Sequence, residues 1–431
     1  MVLIFLHQLA WAAVCVYTYY RERKYVLLNP LFHIGLMSLI FTSRIPEQRS
    51  YEVGIALIVT SIMLNIGYHL KTSFKTSGSI YSLPLNYSER TRVIFICVCI
   101  GFTILPMYGM IRSGVDVYDI LFKFRNAIDT EYNEGGFVIK SFAGAFGYFP
   151  IWGIIIGRIW FHKYRESILR VLWYILVVLH VFTRISTTGT RGAILIIFAG
   201  IVLVDLLWER KTRTKVFSRN VIAYMLIVVF VVIVTSFLTV YRNTKMEDVN
   251  QMRDAVFNVV SFNVDKQAFK MDNSLRLNDE IAFTIDKWAD EPSCLKGVYA
   301  QIVNPIPRFL WSNKPSVFGK VLASERFGVP LEGKGSFGFA AGIAGESIYN
   351  AGYIGLLIFP VIFGLLFKSI WVIINYSENE IKLATAIMFL SWSYAIVRGD
   401  WCWGINIPLY NALLAMCVLS VINGIMTMVN R

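Results

Sequence analysis

Apolar runs about twenty residues long recur about eleven times along this chain, and that is the length a helix needs to cross roughly 30 Å of hydrocarbon. They fall at about 2–20, 26–43, 52–70, 93–111, 137–160, 167–183, 192–208, 220–240, 351–373, 383–397 and 405–428. In lipid only helices and closed barrels satisfy their own backbone, and barrel strands would instead alternate over about ten residues. Hydrophobic residues make up 56% of the chain and charged residues 16%, which is more apolar surface than a soluble protein can cover. The expected fold is therefore all-α: a polytopic membrane protein of about eleven transmembrane helices with one large hydrophilic loop. The first run opens at Val2 without a basic leader and ends in Arg21, Arg23 and Lys24, so it reads as a retained helix.

The net charge of +13 follows from this layout and needs no nucleic acid, because basic residues crowd the cytoplasmic ends of membrane helices. Connections after the first, third, fifth, seventh and ninth runs, with the C-terminus, hold about 19 Lys and Arg against about nine on the other side. That bias predicts an external N-terminus, a cytoplasmic C-terminus and an external segment from about Tyr241 to Gly335. The chain then divides into 1–240, with eight spans and a short amphipathic external segment near 114–136, then 241–350, the large loop, and 351–431, the last three spans. The loop is nearly neutral. Within it Asn278, Asp279 and Glu280 precede Ile281, Ile285 and Trp288, the cap, acidic first turn and spacing of a short amphipathic helix. Residues 335–349 are apolar and glycine-rich but too short to span, and are expected to form a half-helix re-entering the membrane edge. The six cysteines show no metal-ligand spacing, and Cys294 and Cys402 fall in external segments without any pattern that pairs them.

Four external clusters could carry chemistry. The hairpin Arg184-Ile-Ser-Thr-Thr-Gly-Thr-Arg191-Gly192 places Thr188, Thr190 and Arg191 at a helix N-terminus, where free N–H groups and the dipole attract anions. A guanidinium there binds phosphate through paired hydrogen bonds, although terminal arginines also snorkel to lipid headgroups. The proline-stiffened stretch from Asn304 to Pro315 presents Arg308 and Lys314 among aromatic residues, or else is an ordinary surface loop with its rings packed inward. Glu346 lies in an apolar, glycine-rich stretch, where desolvation would make it a usable base, unless a neighbouring arginine claims it. Arg398-Gly-Asp400 adjoins Trp401 and Trp403, which alone would be aromatic-belt residues. No Walker, dinucleotide or metal motif accompanies these clusters, and the large loop holds no histidine.

In the Ser/Thr-Gly-Thr-Arg-Gly hairpin at 186–192, the Ile-Pro-Arg…Lys-Pro stretch at 306–315, the Gly-Glu…Asn-x-Gly-x-x-Gly run at 345–355 and Arg398-Gly-Asp400, the chain resembles the bacterial O-antigen polymerases (Wzy-like). The resemblance covers most of the chain in layout but only about forty residues in motif. It implies a GT-C-like fold in the bacterial inner membrane and a cofactor-free, metal-free glycosyltransferase. The implied substrates are undecaprenyl-pyrophosphate-linked oligosaccharide repeat units, polymerised into O-antigen or capsule-type polysaccharide at the periplasmic face of the lipid bilayer. A polysaccharide chain-length regulator is the further expected partner. On this resemblance Glu346, Arg191 and Arg308 are the catalytic candidates. Thr188, Thr190, Lys314, Arg398 and Asp400 are the substrate-binding ones. The related O-antigen ligases resemble this layout too but carry a His-Asn pair where this chain has Gly345-Glu346. A lipid-linked oligosaccharide flippase would need cations deep in its helices and no loop of this size.

Overall fold

The computed structural model describes residues 1–71, 87–112, 147–188, 191–226, 277–306, 310–331, 338–399 and 401–429. All regular structure among them is helical. In chain order the helices are α1 (Val2–Glu22), α2 (Pro30–Phe41), α3 (Ser50–His69), α4 (Glu89–Arg112), α5 (Phe149–Tyr164), α6 (Ser167–Thr188), α7 (Arg191–Thr212) and α8 (216–226). There follow α9 (Leu277–Trp288), α10 (Lys296–Val303), α11 (Phe318–Phe327), α12 (Gly342–Tyr376), α13 (Glu380–Ser391), α14 (Ser393–Arg398) and α15 (Ile407–Val429). Six helical stretches among the described residues are long and apolar enough to cross a membrane: Val2–Leu28, Ser50–His69, Glu89–Gly109, Ser167–Arg184, Gly342–Tyr376 and Gly404–Val429. The chain is thus a helical membrane protein. The amphipathic segment near 114–136 and most of the predicted eighth span lie outside the described residues.

Two compact units divide the chain: Met1–Thr91 with Ser274–Arg431, and Arg92–Asn273. This partition cuts across the linear one drawn from the sequence. The late segment falls in one unit with the first three helices.

In the first unit, α1 buries Ile4, His7, Trp11, Cys15 and Thr18 at helical spacing and leaves Phe5, Leu9 and Val16 exposed. An exposed apolar face of that length belongs in lipid. A 3₁₀ turn over Arg23–Leu28 leads to Asn29, whose side chain accepts from the Leu31 N–H (3.0 Å) with Pro30 behind it, so α2 starts with a side-chain cap and a proline suited to a first turn. The most extensive helix pair is α3 with α12. Their backbones meet through glycine: a Cβ on Gly364 would lie 2.2 Å from the Leu64 carbonyl oxygen, and one on Gly67 would lie 2.2 Å from that of Val361. Small residues at such crossings are how membrane helices gain packing without a hydrophobic drive between them.

The half-helix expected at 335–349 takes a different form. Residues 342–350 are the buried opening of α12, joined to the rest at Ala351 and Gly352. Gly352 has φ 59° and ψ −149°, a region open essentially to glycine alone. The break lets the opening segment bury itself under α9, while the remainder runs on for the length of a span. Likewise the predicted tenth span divides at Trp392 into α13 and α14.

The hydrophilic segment folds onto this unit as α9, α10 and α11. Helix α9 forms where the periodicity predicts it, with Asp279 and Glu280 in its first turn and Ile281, Ile285 and Trp288 buried. Asn278 does not act as its cap. The helix begins one residue earlier, and the Asn278 amide donates to the carbonyls of Thr42 (2.9 Å) and Arg44 (2.6 Å), tying α9 to the α2–α3 connection. Arg49 adds an exposed ion pair to Asp286 at 2.6 Å. One core continues through Ile4, Val53, Leu57, Ile281, Ile285, Phe318, Leu322 and Ile348, so the segment is seated on the helix ends and is not a free loop.

In the second unit α5 is buried from Phe149 to Trp160, as expected for a helix apolar on every side. Phe95 of α4 meets the rings of Phe149, Trp152 and Trp160 at centroid distances of 5.8–5.9 Å. Arg158 forks onto the Asp205 carboxylate (2.8 and 2.7 Å), His162 reaches the same group at 2.6 Å, and the Tyr224 hydroxyl donates to it. Asp205 has no exposed surface, so each of its charges is matched inside the unit.

Candidate functional site

The strongest concentration of buried polar chemistry in the first unit surrounds Glu346. Its side chain is fully buried in the opening segment of α12. The Gln301 amide of α10 donates to Oε1, and the backbone N–H of Trp401 donates to Oε2 at 2.7 Å. One turn on, the Asn350 amide donates to the Glu346 carbonyl (2.8 Å), while its own oxygen accepts from the Val298 N–H (3.0 Å). The Asn406 amide donates to the Gln301 carbonyl at 2.7 Å.

Local sequence explains how these groups meet. Gly297 lets α10 approach, since a Cβ there would stand 2.7 Å from the Asn350 Oδ1. Backbone bonds from Ser293 to Tyr349 (2.8 Å) and from Leu295 to Asn350 (3.0 Å) then hold the start of α10 against α12. Cys402–Asn406 is a π-helical turn before α15. Such turns re-aim side chains, and here one carries Asn406 to Gln301. Trp401 is wedged between Phe359 (4.7 Å) and Phe363 (5.1 Å), so the N–H it offers Glu346 is fixed by packing.

Of the residues singled out in sequence, Glu346 and Arg398 fall in this neighbourhood of the chain, because Arg398 ends α14, three residues before Trp401. Its guanidinium lies 5.5 Å from the Phe41 ring centroid. Lys314 is buried and its ammonium donates to the carbonyls of Asn304 and Ile306, both at 2.7 Å. It therefore ties together the proline-containing turn as well as carrying charge. Arg308, Asp400 and Thr190 lie outside the described residues. Arg191 starts α7 and Thr188 ends α6, both in the second unit, with side chains outside the described set.

Gln301 and Asn406 were not singled out in sequence, and Asn350 entered only as part of the 345–355 motif. Their signal is weak: an uncharged amide in an apolar helix looks like an ordinary polar residue until its partner is known. A second buried carboxylate, Glu280, was also passed over. It pairs with Arg326 (2.8 Å), which also donates to the Asp279 carbonyl, so it ties α9 to α11. Glu325 is half-exposed and pairs with Lys287 (3.0 Å). Cys294 is an exposed free thiol. No group of three or more potential metal-ligating side chains occurs among the described residues.

The site can hold a carboxylate in a dry, donor-lined pocket beside an arginine-bearing turn. Both oxygens of Glu346 accept hydrogen bonds, so a substrate hydroxyl that gives it a proton would share or replace one of these donors. No family model, no curated protein and no solved structure matches this chain.

Proposed function

We propose that this protein is a membrane-embedded glycosyltransferase of the O-antigen polymerase type. It joins polyprenyl-pyrophosphate-linked oligosaccharide units at the external face of a bacterial inner membrane, with its C-terminus in the cytoplasm. The observation that carries the proposal is the buried Glu346, held by Gln301 and Trp401 beside the Arg398 turn, at the end of the helices where the segment 277–331 is seated. The sequence resemblance supplies the substrate class.

In this reading a sugar hydroxyl displaces the Gln301 amide from Glu346 Oε1, while the Trp401 N–H stays on Oε2. The hydroxyl oxygen attacks the anomeric carbon of the donor chain, and its proton passes to the carboxylate. The bond from that carbon to the pyrophosphate oxygen breaks, and the electron pair leaves with the lipid pyrophosphate. Cations stabilise that leaving group, a role for which Arg398 and Arg308 are the candidates on sequence grounds. Sugar identity enters through the aromatic residues of the 299–311 stretch, where Tyr299 and Trp311 already meet edge to face at 6.4 Å.

Purified protein supplied with lipid-linked repeat units should yield a ladder of polymers on gels. Transfer of a finished chain to a different acceptor, with no ladder, would make it a ligase. Movement of the lipid-linked unit across vesicles without any new glycosidic bond would make it a transporter. The buried Arg158–Asp205 pair favours this last reading.

A further inference from the structure

A second site, separate from the Glu346 region, lies wholly in the second unit. The end of α5, the start of α6 and the α7–α8 connection enclose an open groove of about 510 Å³. Four cations line it, Arg165, Arg170, Lys215 and Arg219, and no carboxylate is among its described lining residues. The nearest acidic groups are already engaged. Asp205 is held by Arg158 and His162, Glu166 is paired with Arg92, and the buried Glu209 accepts from the Ser218 N–H (3.0 Å) and hydroxyl (2.9 Å). Four cations around one groove with no carboxylate among its described lining repel one another, so the arrangement favours an anion that bridges them.

Arg170 is preset for such a ligand. Its Nη2 donates to the Arg165 carbonyl at 2.7 Å and its guanidinium lies 5.3 Å from the Phe161 ring centroid, while its Nε is buried with no hydrogen-bond partner. A buried donor left without a partner is costly, and a phosphate oxygen would satisfy it. The floor of the groove is aromatic, formed by Phe161 and by Trp208 stacked on His162 at 5.4 Å. Leading away from the groove, α6 exposes Ile168, Val171 and Ile175, an apolar track along which acyl chains can lie. The basic bias of the sequence assigns this end of α5–α8 to the cytoplasm.

The geometry points to a binding site for the phosphate headgroup of an anionic phospholipid, with the headgroup among the four cations and the chains along α6. The test uses the full-length protein in a neutral detergent. Its unfolding temperature is followed against dihexanoyl phosphatidylglycerol, dihexanoyl phosphatidylcholine and inorganic phosphate. Phosphatidylglycerol should stabilise it saturably and the other two should not. Arg165→Gln with Arg219→Gln should raise the half-saturating concentration about tenfold, a loss of one good charged contact. The charge-matched control Arg23→Gln with Lys382→Gln, at residues that do not line the groove, should leave it unchanged. Both groove residues are exposed, so the variant is expected to fold, and its unfolding temperature without lipid verifies this. Lys215→Gln alone gives a milder second variant with the same expected direction. Equal losses in groove and control variants would mean a diffuse field and would overturn the site. Equal stabilisation by inorganic phosphate would overturn the lipid assignment in favour of a free anion. Stabilisation by phosphatidylcholine would overturn headgroup recognition.

Discussion

Asp205 and Glu346 are both wholly buried, yet they are held by different partners. Asp205 is matched by Arg158, His162 and Tyr224, an arrangement whose charges close on themselves. Asp205→Asn would leave Arg158 buried without its counter-charge, and removing one partner of a buried pair costs about 3–5 kcal/mol. The expected outcome is a large fall in unfolding temperature, with activity per folded molecule little changed. Glu346 accepts from the Gln301 amide and from the Trp401 backbone N–H, two donors that carry no charge. Glu346→Gln should lower the polymerisation rate by about two to four orders of magnitude and leave the unfolding temperature within a few degrees of the parent. Loss of activity together with a collapse in stability would instead make Glu346 an anchor for the Trp401 turn.

At the scale of elements, α12 joins a helix of spanning length to the α9–α11 segment, and its break decides where Glu346 sits. Gly352 is in a glycine-only conformation, and a Cβ there would also stand 2.7 Å from the Ala289 carbonyl at the end of α9. Gly352→Ala should therefore cost about 1–3 kcal/mol in backbone strain alone. Because the strain falls between the opening segment and the rest of α12, protease sensitivity should rise at 289–295 before the membrane helices unfold. Uniform unfolding of the whole protein would contradict this local reading. The same element logic explains Arg49 and Asp286. Their hydrogen bond raises the arginine pKa above its ordinary value, yet the pair is exposed and salt-screened, so it orients α9 and adds little stability.

At the scale of the whole molecule, the segment 277–331 is folded, packed on α1, α3 and α12, and carries an exposed thiol at Cys294. If that segment is external, a membrane-impermeant maleimide should label Cys294 in intact cells, and in a chain already carrying Cys402→Ser the further change Cys294→Ser should abolish the signal. Cys97 and Cys417 are exposed too, but within stretches apolar enough to span, so a charged reagent should not reach them. Labelling that appears only when the cytoplasmic face is opened would reverse the orientation and remove the basis of the proposed reaction.

The amino-acid sequence by itself determined the helical membrane class, six of the expected long apolar helices and the amphipathic helix α9, because each is written in a contiguous run or a short period. It also singled out Glu346, since an acid in an apolar glycine-rich stretch is conspicuous locally. Only the tertiary structure decided what surrounds that acid. Its donors Gln301 and Trp401 lie 45 and 55 residues away along the chain, and Asn406, which fixes Gln301, lies 105 residues from it. The pairing of Arg158 with Asp205 across 47 residues and the seating of α9 on the α2–α3 connection across more than two hundred were equally invisible. Spacing along a chain constrains a helix over three or four residues. Which faces then meet depends on where glycine permits close approach and on which buried polar groups must find partners, and that is settled only when the helices pack.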